Sequence, residues 1–460
     1  MGRRRIELAA ADLGKHCRGE LILASRELEP YSRDFGGMVR RLPSAVLRPL
    51  TVDDAVTALK IAVDHEVPVT TRGSGHSQAG QCLGDGLVLD MRSLGRVIGV
   101  STGDDVIEVE AGAQWRAVVD ASFSEGKLPR GLRHVLDTTV AGTLSVAGVG
   151  SESWSTGAQV DNVAYLDIAT LDGKIQRASA HENCDLFDAV RGGLGQIGVI
   201  LRVGYPLRKC GRRVRSRYFV YSSVDRFMDA VETVCLRPDG LLFGALTRSA
   251  RERRWVLLLV IGSEYENRQS DTNRRTFKLD FDEELPEQDA PIWNETGVPG
   301  HLFFRLHAPN PSSLDADPST LHPWVEHIFS RNSAHGVLET LMSDHSGMLG
   351  LGTNGIIMVR RNSSPAPLFS TPAGADLLWG IGMFPSIAPW FSDDAQNLMT
   401  AHAAQGRAAN GKRYLSGFVQ PMDEASWREH YGSEAWEFFR RVKAEFDPNH
   451  RLNAGFISWT

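Results

Sequence analysis

The chain has 460 residues, with 50 Lys plus Arg against 56 Asp plus Glu, for a formal charge of −6. Hydrophobic residues at 42% and charged residues at 23% make an ordinary globular composition, which excludes wholesale disorder and fibrous repeats. At about 150 residues per domain the length suggests two or three domains; the mild acidity speaks against a nucleic acid or an anionic membrane as partner, and the longest apolar run, Trp255–Ile261, is about a third of a membrane span.

In chain order, Arg3-Arg4-Arg5 resembles the start of an export signal, but Glu7 and Asp12 interrupt the stretch that would have to be apolar. Five cysteines, odd in number, widely spaced and without a CxxC pair, fit a reducing cytoplasm and give no zinc site. Ala45-Val46-Leu47 reads as a strand. Thr51 with Asp54 three residues on is a capping-box pattern, and Val52, Val56, Leu59 and Val63 then recur at helical spacing as one buried stripe. Val67–Thr71, Leu87–Leu89 and Val106–Val109 read as strands. Tyr165–Leu171, Asp172-Gly173 and Lys174–Ala178 form a hairpin, because Asp-Gly tolerates the positive φ of a tight turn. Beyond Tyr205, Tyr218–Tyr221 and Trp255–Ile261 suggest strands of a buried sheet, with a helix at Val224–Val234 between them. Two stretches rich in Pro, Ser and Asn, Ala308–Thr320 and Asn362–Gly374, read as long surface loops. A helix over Trp427–Lys443, with Trp427, Tyr431, Trp436 and Phe439 as buried anchors, stops at Asp447-Pro448.

The chemistry begins where the strand at Val67–Thr71 runs into Arg72-Gly73-Ser74-Gly75-His76-Ser77. Free N–H groups at a glycine turn form a nest for an anion, above all a pyrophosphate, although the spacing is neither GxGxxG nor a Walker A loop. Two more glycine clusters, Val140–Gly148 and Gly192–Ile200, suggest backbone wrapped around an extended dinucleotide. The scattered histidines, among them His322, His327, His335 and His345, make no HExxH or other metal pattern, so no metal is expected.

These motifs carry a family resemblance. Asp34-Phe35-Gly36, Pro43–Leu47, the Arg72–Ser77 loop with Gly80-Gln81, Thr139–Ser145, Asp185-Leu186-Phe187, Arg191–Ile200, His322–Val325, Tyr414-Leu415 and Phe446-Asp447-Pro448 span nearly the whole chain. Together they resemble the FAD-linked oxidoreductases of the vanillyl-alcohol oxidase and p-cresol methylhydroxylase superfamily, and most of all the cytokinin dehydrogenases. The resemblance implies an α+β, two-domain flavoprotein. Its FAD-binding domain, of two α+β subdomains, comes from both chain ends (1–207 and 413–460), and a substrate domain with an antiparallel sheet flanked by helices is inserted at 208–412. It further implies that His76 is joined covalently to the flavin 8α-methyl carbon; an unprotonated imidazole is nucleophilic near neutral pH. No cysteine stands in Val140–Gly150 for a second link. The FAD contacts implied are Arg72, Gly73, Ser74, Gly75, Ser77, Gln81, Thr139, Gly142, Ser145, Val149, Val199 and Ile200, with Tyr414 and Asn453 closing from the C-terminal segment. Where the family ends in a Pro-Gly-Gln turn, this chain has Ala454-Gly455-Phe456.

The substrate side departs from the family. Its proton-accepting aspartate corresponds to His134 here, within Arg133–Asp137. His134 can serve as the base with Asp137 orienting it; alternatively it is only a polar residue lining a changed pocket. The family's substrate-holding glutamate has no counterpart in Leu241–Thr247. The pocket is therefore expected to be less acidic and more apolar, with Trp379 a candidate for its lining and Trp324 another. The expected function is hydride transfer from a small, largely apolar substrate to FAD, with oxygen or another acceptor reoxidising it, as a tailoring step of specialised metabolism in a cytoplasmic monomer or homodimer. Cytokinin cleavage and a non-catalytic flavin-binding role stand as the alternatives.

Overall fold

The structure is a computed structural model that describes residues 3–101, 103–237, 240–248, 254–266, 284–289, 293–297, 319–343, 352–363, 365–374, 376–417 and 422–459. Helix α1 (Arg3–His16) leads to β1 (Glu20–Ile22), the short α2 (Ser25–Leu28), β2 (Ala45–Arg48), α3 (Val52–Asp64), β3 (Val69–Arg72) and β4 (Leu87–Asp90). These strands form one sheet in the order β1-β2-β4-β3, parallel except for β1. Thr51 caps α3 as its sequence predicts: Thr51 Oγ1 accepts from the Asp54 N–H, and the Asp54 carboxylate accepts from the Thr51 N–H. The buried face of α3 is nevertheless Ala55, Ala58, Leu59 and Ala62; Val52 and Val56 are half-buried and Val63 is exposed. Small alanines let the helix lie close on the sheet, so bulk was a poor guide to which stripe faces inward.

A second sheet follows from β5 (Val97–Val100), β6 (Val106–Glu110), β7 (Lys127–Pro129), β8 (Tyr165–Ala169), β9 (Ile175–Ser179) and β10 (Val199–Lys209), all antiparallel. Its order is β5-β6-β10-β8-β9, with β7 on the far end of β10, and α4 (Trp115–Ser124), α5 (Val140–Leu144), α6 (Ser153–Thr156) and α7 (Cys184–Val190) lie between its strands in sequence. The β8–β9 turn has Gly173 at φ +75°, as Asp-Gly implied.

The third sheet is antiparallel, in the order β14-β11-β13-β12-β16-β17-β15-β18. It comprises β11 (Arg213–Tyr221), β12 (Leu241–Arg248), β13 (Trp255–Tyr265), β14 (Trp293–Gly297), β15 (Val325–Phe329), β16 (Gly352–Arg360), β17 (Leu377–Pro385) and β18 (Lys412–Arg413). One face packs on α8 (Val224–Cys235), α9 (Arg331–Met342) and α10 (Ser392–Ala408). Two helices close the chain, α11 (Glu424–Tyr431) and α12 (Ser433–Phe446). The single helix expected over Trp427–Lys443 is thus broken at Gly432, where φ is +83°, though all four expected anchors are buried. The stretch Asn362–Gly374 is irregular as expected but not a surface loop throughout, since Ala366, Leu368 and Phe369 are buried. Of the other expected loop, 308–318 lies outside the described residues.

After α12 the chain returns to the first sheet: the Val69 N–H donates to the Arg451 carbonyl and the Asn453 N–H to the Val69 carbonyl, 2.8 Å each. Both chain ends therefore build one half of this α+β fold, and the eight-stranded sheet is inserted between them. Asp447 makes the return possible: its carboxylate accepts from the Arg451 and Leu452 N–H groups and from Lys443 Nζ (2.6 Å), with both charged side chains buried.

Candidate functional site

The strand β3 ends in the first glycine turn, and its polar side chains are spent on fixing the backbone. Ser74 Oγ donates to the Asp137 carbonyl at 2.7 Å, and Ser77 Oγ to Asp34 Oδ2 at 2.9 Å. Asp34 is buried and also accepts from the N–H groups of Gly80 and Gly37; burial outweighs these bonds and pushes its carboxyl up to about 6. The Arg72 guanidinium donates to the Arg33 carbonyl at 2.9 Å from behind Gly75, whose φ is +74° and where a Cβ would collide with it. His76 then emerges with its ring stacked on Phe35 (4.2 Å, 10°), Phe35 stacked on His322 (4.1 Å, 5°), and Trp324 set edge-on to His76 at 5.3 Å. Burial, and secondarily the Arg133 charge, push the imidazole down to about 3, so His76 is neutral. Its Nε2 is buried with no hydrogen-bond partner among the described residues.

The other two turns close around the first. A Cβ on Gly73 would collide with Thr139 Oγ1, so the first and second turns meet at van der Waals contact. Ser145 Oγ bonds back to the Ala141 carbonyl, and the Ser145 carbonyl accepts from the Leu194 N–H of the third turn at 2.9 Å. Asn453, at φ +46°, staples three segments: its Nδ2 donates to the Gln81 carbonyl (3.0 Å) and the Leu194 carbonyl (2.8 Å). Gln81 Nε2 in turn donates to the Leu415 carbonyl at 2.8 Å.

These turns enclose a cleft of about 1060 Å³, counting the space open at its mouth, in the upper range for ligand sites. Of the residues expected to hold FAD, Arg72, Gly73, Ser74, Gly75, His76, Ser77 and Gln81 line it from the first turn. Thr139, Gly142, Ser145, Val199, Ile200 and Asn453 line it from the others, whereas Val149 and Tyr414 are not in its described lining. The described lining includes Arg72 and Arg133 and no carboxylate, and Asn453 Oδ1 joins His76 Nε2 as a buried polar atom without a partner. Acid-free walls, two arginines and two waiting polar atoms suit a flavin with a diphosphate bridge.

Beyond His76 the wall changes character. Trp324 is edge-on to Phe384 (5.0 Å); Phe384 and Phe243 cover Gly355, and Phe243 meets the His134 ring edge-on at 4.9 Å. His134 is 9% exposed, and its Nε2 is hydrogen-bonded to Ser151 Oγ. The Asp137 carboxylate, 37% exposed, is bound by Arg116 at 2.8 Å, and its carbonyl serves Ser74 and Gln114. Trp379 does not reach this wall. It pairs with Phe329 and faces Phe227 of α8 at 6.4 Å, on the opposite side of the sheet from Phe384, because side chains alternate along β17.

Sequence reasoning passed over one acidic group. Glu326 on β15 stands opposite Gly382, where a Cβ would collide with Phe384 and press on Glu326. The carboxyl therefore shares the face of Phe384 and Trp324; burial pushes it up to about 7, opposed by Arg133. The signal was there, a lone carboxylate two residues beyond Trp324 in the apolar run Val325–Phe329, but only strand pairing shows which face it takes.

Two family models match the chain: an FAD binding domain over residues 43–179, and the FAD and cytokinin binding region of cytokinin dehydrogenase 1 over residues 319–457. An uncharacterized oxidoreductase of the fasciation locus of Rhodococcoides fascians is 31% identical over 92% of this chain and 95% of its own length. Cytokinin dehydrogenase 5 of Arabidopsis thaliana is 26% identical over 95% of this chain and 88% of its own; cytokinin dehydrogenase 3 of the same plant reaches 36% over 49% and 44%. Among solved structures, 6-hydroxy-D-nicotine oxidase from Arthrobacter nicotinovorans superposes with a TM-score of 0.72 over 96% of this chain and 97% of its own, at 17% identity, a likeness of fold.

Proposed function

The chain belongs to the FAD-linked oxidoreductases of the vanillyl-alcohol oxidase and p-cresol methylhydroxylase superfamily, and from that premise we propose that it oxidises a small, largely apolar substrate with a flavin held covalently on His76. The observation that carries this reading is the neutral imidazole of His76, whose Nε2 has no partner among the described residues, in a cleft whose described lining holds no carboxylate. When bound, FAD would supply the hydride acceptor, with oxygen or another acceptor as the final oxidant. The protein's own part is to exclude water with the Trp324, Phe384 and Phe243 rings, which lie between His76 and His134. His134, its ring fixed through Nε2 by Ser151, takes the substrate proton; Glu326 accepts a hydrogen bond from a substrate N–H or O–H, and Arg133 balances its charge when ionised. Ser151 joins Asp137 as a residue that can orient the ring.

We further propose FAD-binding segments at 1–207 and 413–460 around a substrate domain at 208–412, and a cytoplasmic setting. All five cysteines are free, and no described helix is long and apolar enough to cross a membrane. A tailoring oxidation in specialised metabolism fits the aromatic wall. Cytokinin cleavage is the second reading, favoured by the cytokinin dehydrogenase match over residues 319–457. Anaerobic mixing of holoenzyme with isopentenyladenine separates the two: the leading reading expects the flavin absorbance to persist, with apolar secondary amines or alcohols bleaching it. Rapid bleaching by isopentenyladenine restores the second reading, and a flavin that no amine or alcohol reduces overturns the first.

A further inference from the structure

A second cavity, of about 1000 Å³ counting its open mouth, lies against the helix-covered face of the eight-stranded sheet. It is walled by the start of α9, the end of α10, β18 and α11. Arg413 on β18 stands opposite His327, whose ring lies against Gly406 of α10. Paired residues of an antiparallel ladder share a face, so Arg413 points away from Glu326 and from the cleft.

Arg413 is 7% exposed, yet its Nη1 has no hydrogen-bond partner, and no described side chain forms an ion pair with it. A guanidinium cannot shed its proton to escape burial, so a counter-charge must come from elsewhere. The neighbours increase the need. Arg407 lines the cavity without an ion pair among the described residues, and Lys412 donates to the Glu429 carbonyl at 2.7 Å. The ionisable side chains in the lining are Arg407, Lys412, Arg413, Glu429 and His430; burial and the charges of Lys412 and Arg413 keep His430 neutral, at about 3. Three cations against one exposed carboxylate leave a surplus of two positive charges. The amino end of α9 adds to it, since Ser330 makes no side-chain cap and bonds Ser333 Oγ instead.

We propose that this cavity binds a dianionic phosphate, free or as a monoester, between Arg413, Arg407, Lys412 and the first turn of α9. The assignment stands apart from the oxidoreductase reading, because it involves no residue of the cleft. The experiment is calorimetric titration of FAD-loaded protein with inorganic phosphate and, separately, with glycerol 3-phosphate, against sodium chloride at matched ionic strength. Saturable binding at one site per chain is expected, weakened about tenfold or more in Arg407→Ala and lost in Arg413→Met. Arg441→Ala, on the surface of α12, is expected to bind as wild type. Similar affinity for both probes identifies free phosphate as the ligand, and tighter glycerol phosphate binding identifies a monoester. Arg407 is exposed, so Arg407→Ala decides the matter even if Arg413→Met does not fold. No saturable heat beyond chloride, or wild-type affinity in Arg407→Ala, overturns the assignment.

Discussion

Two walls meet at His76, the glycine turns of the cleft and the sheet beside it, and they are built on opposite principles. On the glycine-turn wall the polar side chains bond backbone: Ser74 to Asp137, Gln81 to Leu415, Asn453 to Gln81 and Leu194. On the sheet wall, rings cover glycines: Phe384 and Phe243 over Gly355, with Glu326 beside Gly382. The first wall holds a shape through hydrogen bonds and tolerates little change. The second is a set of replaceable surfaces on a rigid sheet, where chemistry can change without disturbing the fold. Variants on the first wall should therefore move stability and flavin retention together, and variants on the second should move turnover while the flavin is retained.

Lys443→Met is the harshest test of the first wall. Lys443 Nζ bonds Asp447 and the Gln196 carbonyl, both at 2.6 Å. Its loss leaves a buried carboxylate unpaired and is expected to cost about 3–5 kcal/mol, with FAD released, measured by denaturant unfolding. On the second wall, His134→Ala should slow anaerobic flavin reduction roughly 10²–10⁴-fold with flavin content unchanged. Asn453→Ala should cost about 2 kcal/mol and reduce flavin occupancy, since two buried carbonyls lose their donor. Asp137→Asn should change stability by less than about 1 kcal/mol, its exposed pair with Arg116 being a surface one, and leave flavin reduction as in wild type. A His134-sized loss in that variant would return Asp137 to the mechanism.

The sheet wall also has a pH signature. Glu326 is raised from 4.5 to about 7, so the folded state binds its proton more tightly than the unfolded chain. Its contribution to stability is full below the unfolded value and is lost as pH rises toward about 7. Glu326→Gln should remove that loss, giving a flatter stability profile between about pH 5 and 8. An unchanged profile would show that Glu326 does not face the rings of the sheet wall as the strand pairing places it.

The three glycine turns of the first wall were legible from residue types because glycine spacing is a local signal. His76, Ser77, Gln81, Thr139 and Asn453 came from the family resemblance, and the structure brings them to one cleft. The second wall depends on which way side chains point in an eight-stranded sheet, and that comes from pairing between distant segments. Trp379 and Glu326 belong to β17 and β15, adjacent in space and some fifty residues apart; pairing puts the tryptophan against α8 and the carboxylate beside Phe384. The Arg116 partner of Asp137, on α4, was not legible for the same reason, since α4 lies some twenty residues earlier in the chain. The break at Gly432 was readable in principle, from a glycine inside a helical pattern.

The most direct test of the whole account is the state of the flavin in the purified protein. Wild-type protein precipitated with acid and washed in denaturant should give a yellow pellet, with an intact mass raised by one FAD less the hydrogens lost on attachment and the added mass on the peptide carrying His76. The pellet of His76→Ala should be colourless. A colourless wild-type pellet at the bare chain mass, or the added mass on another residue, would contradict it.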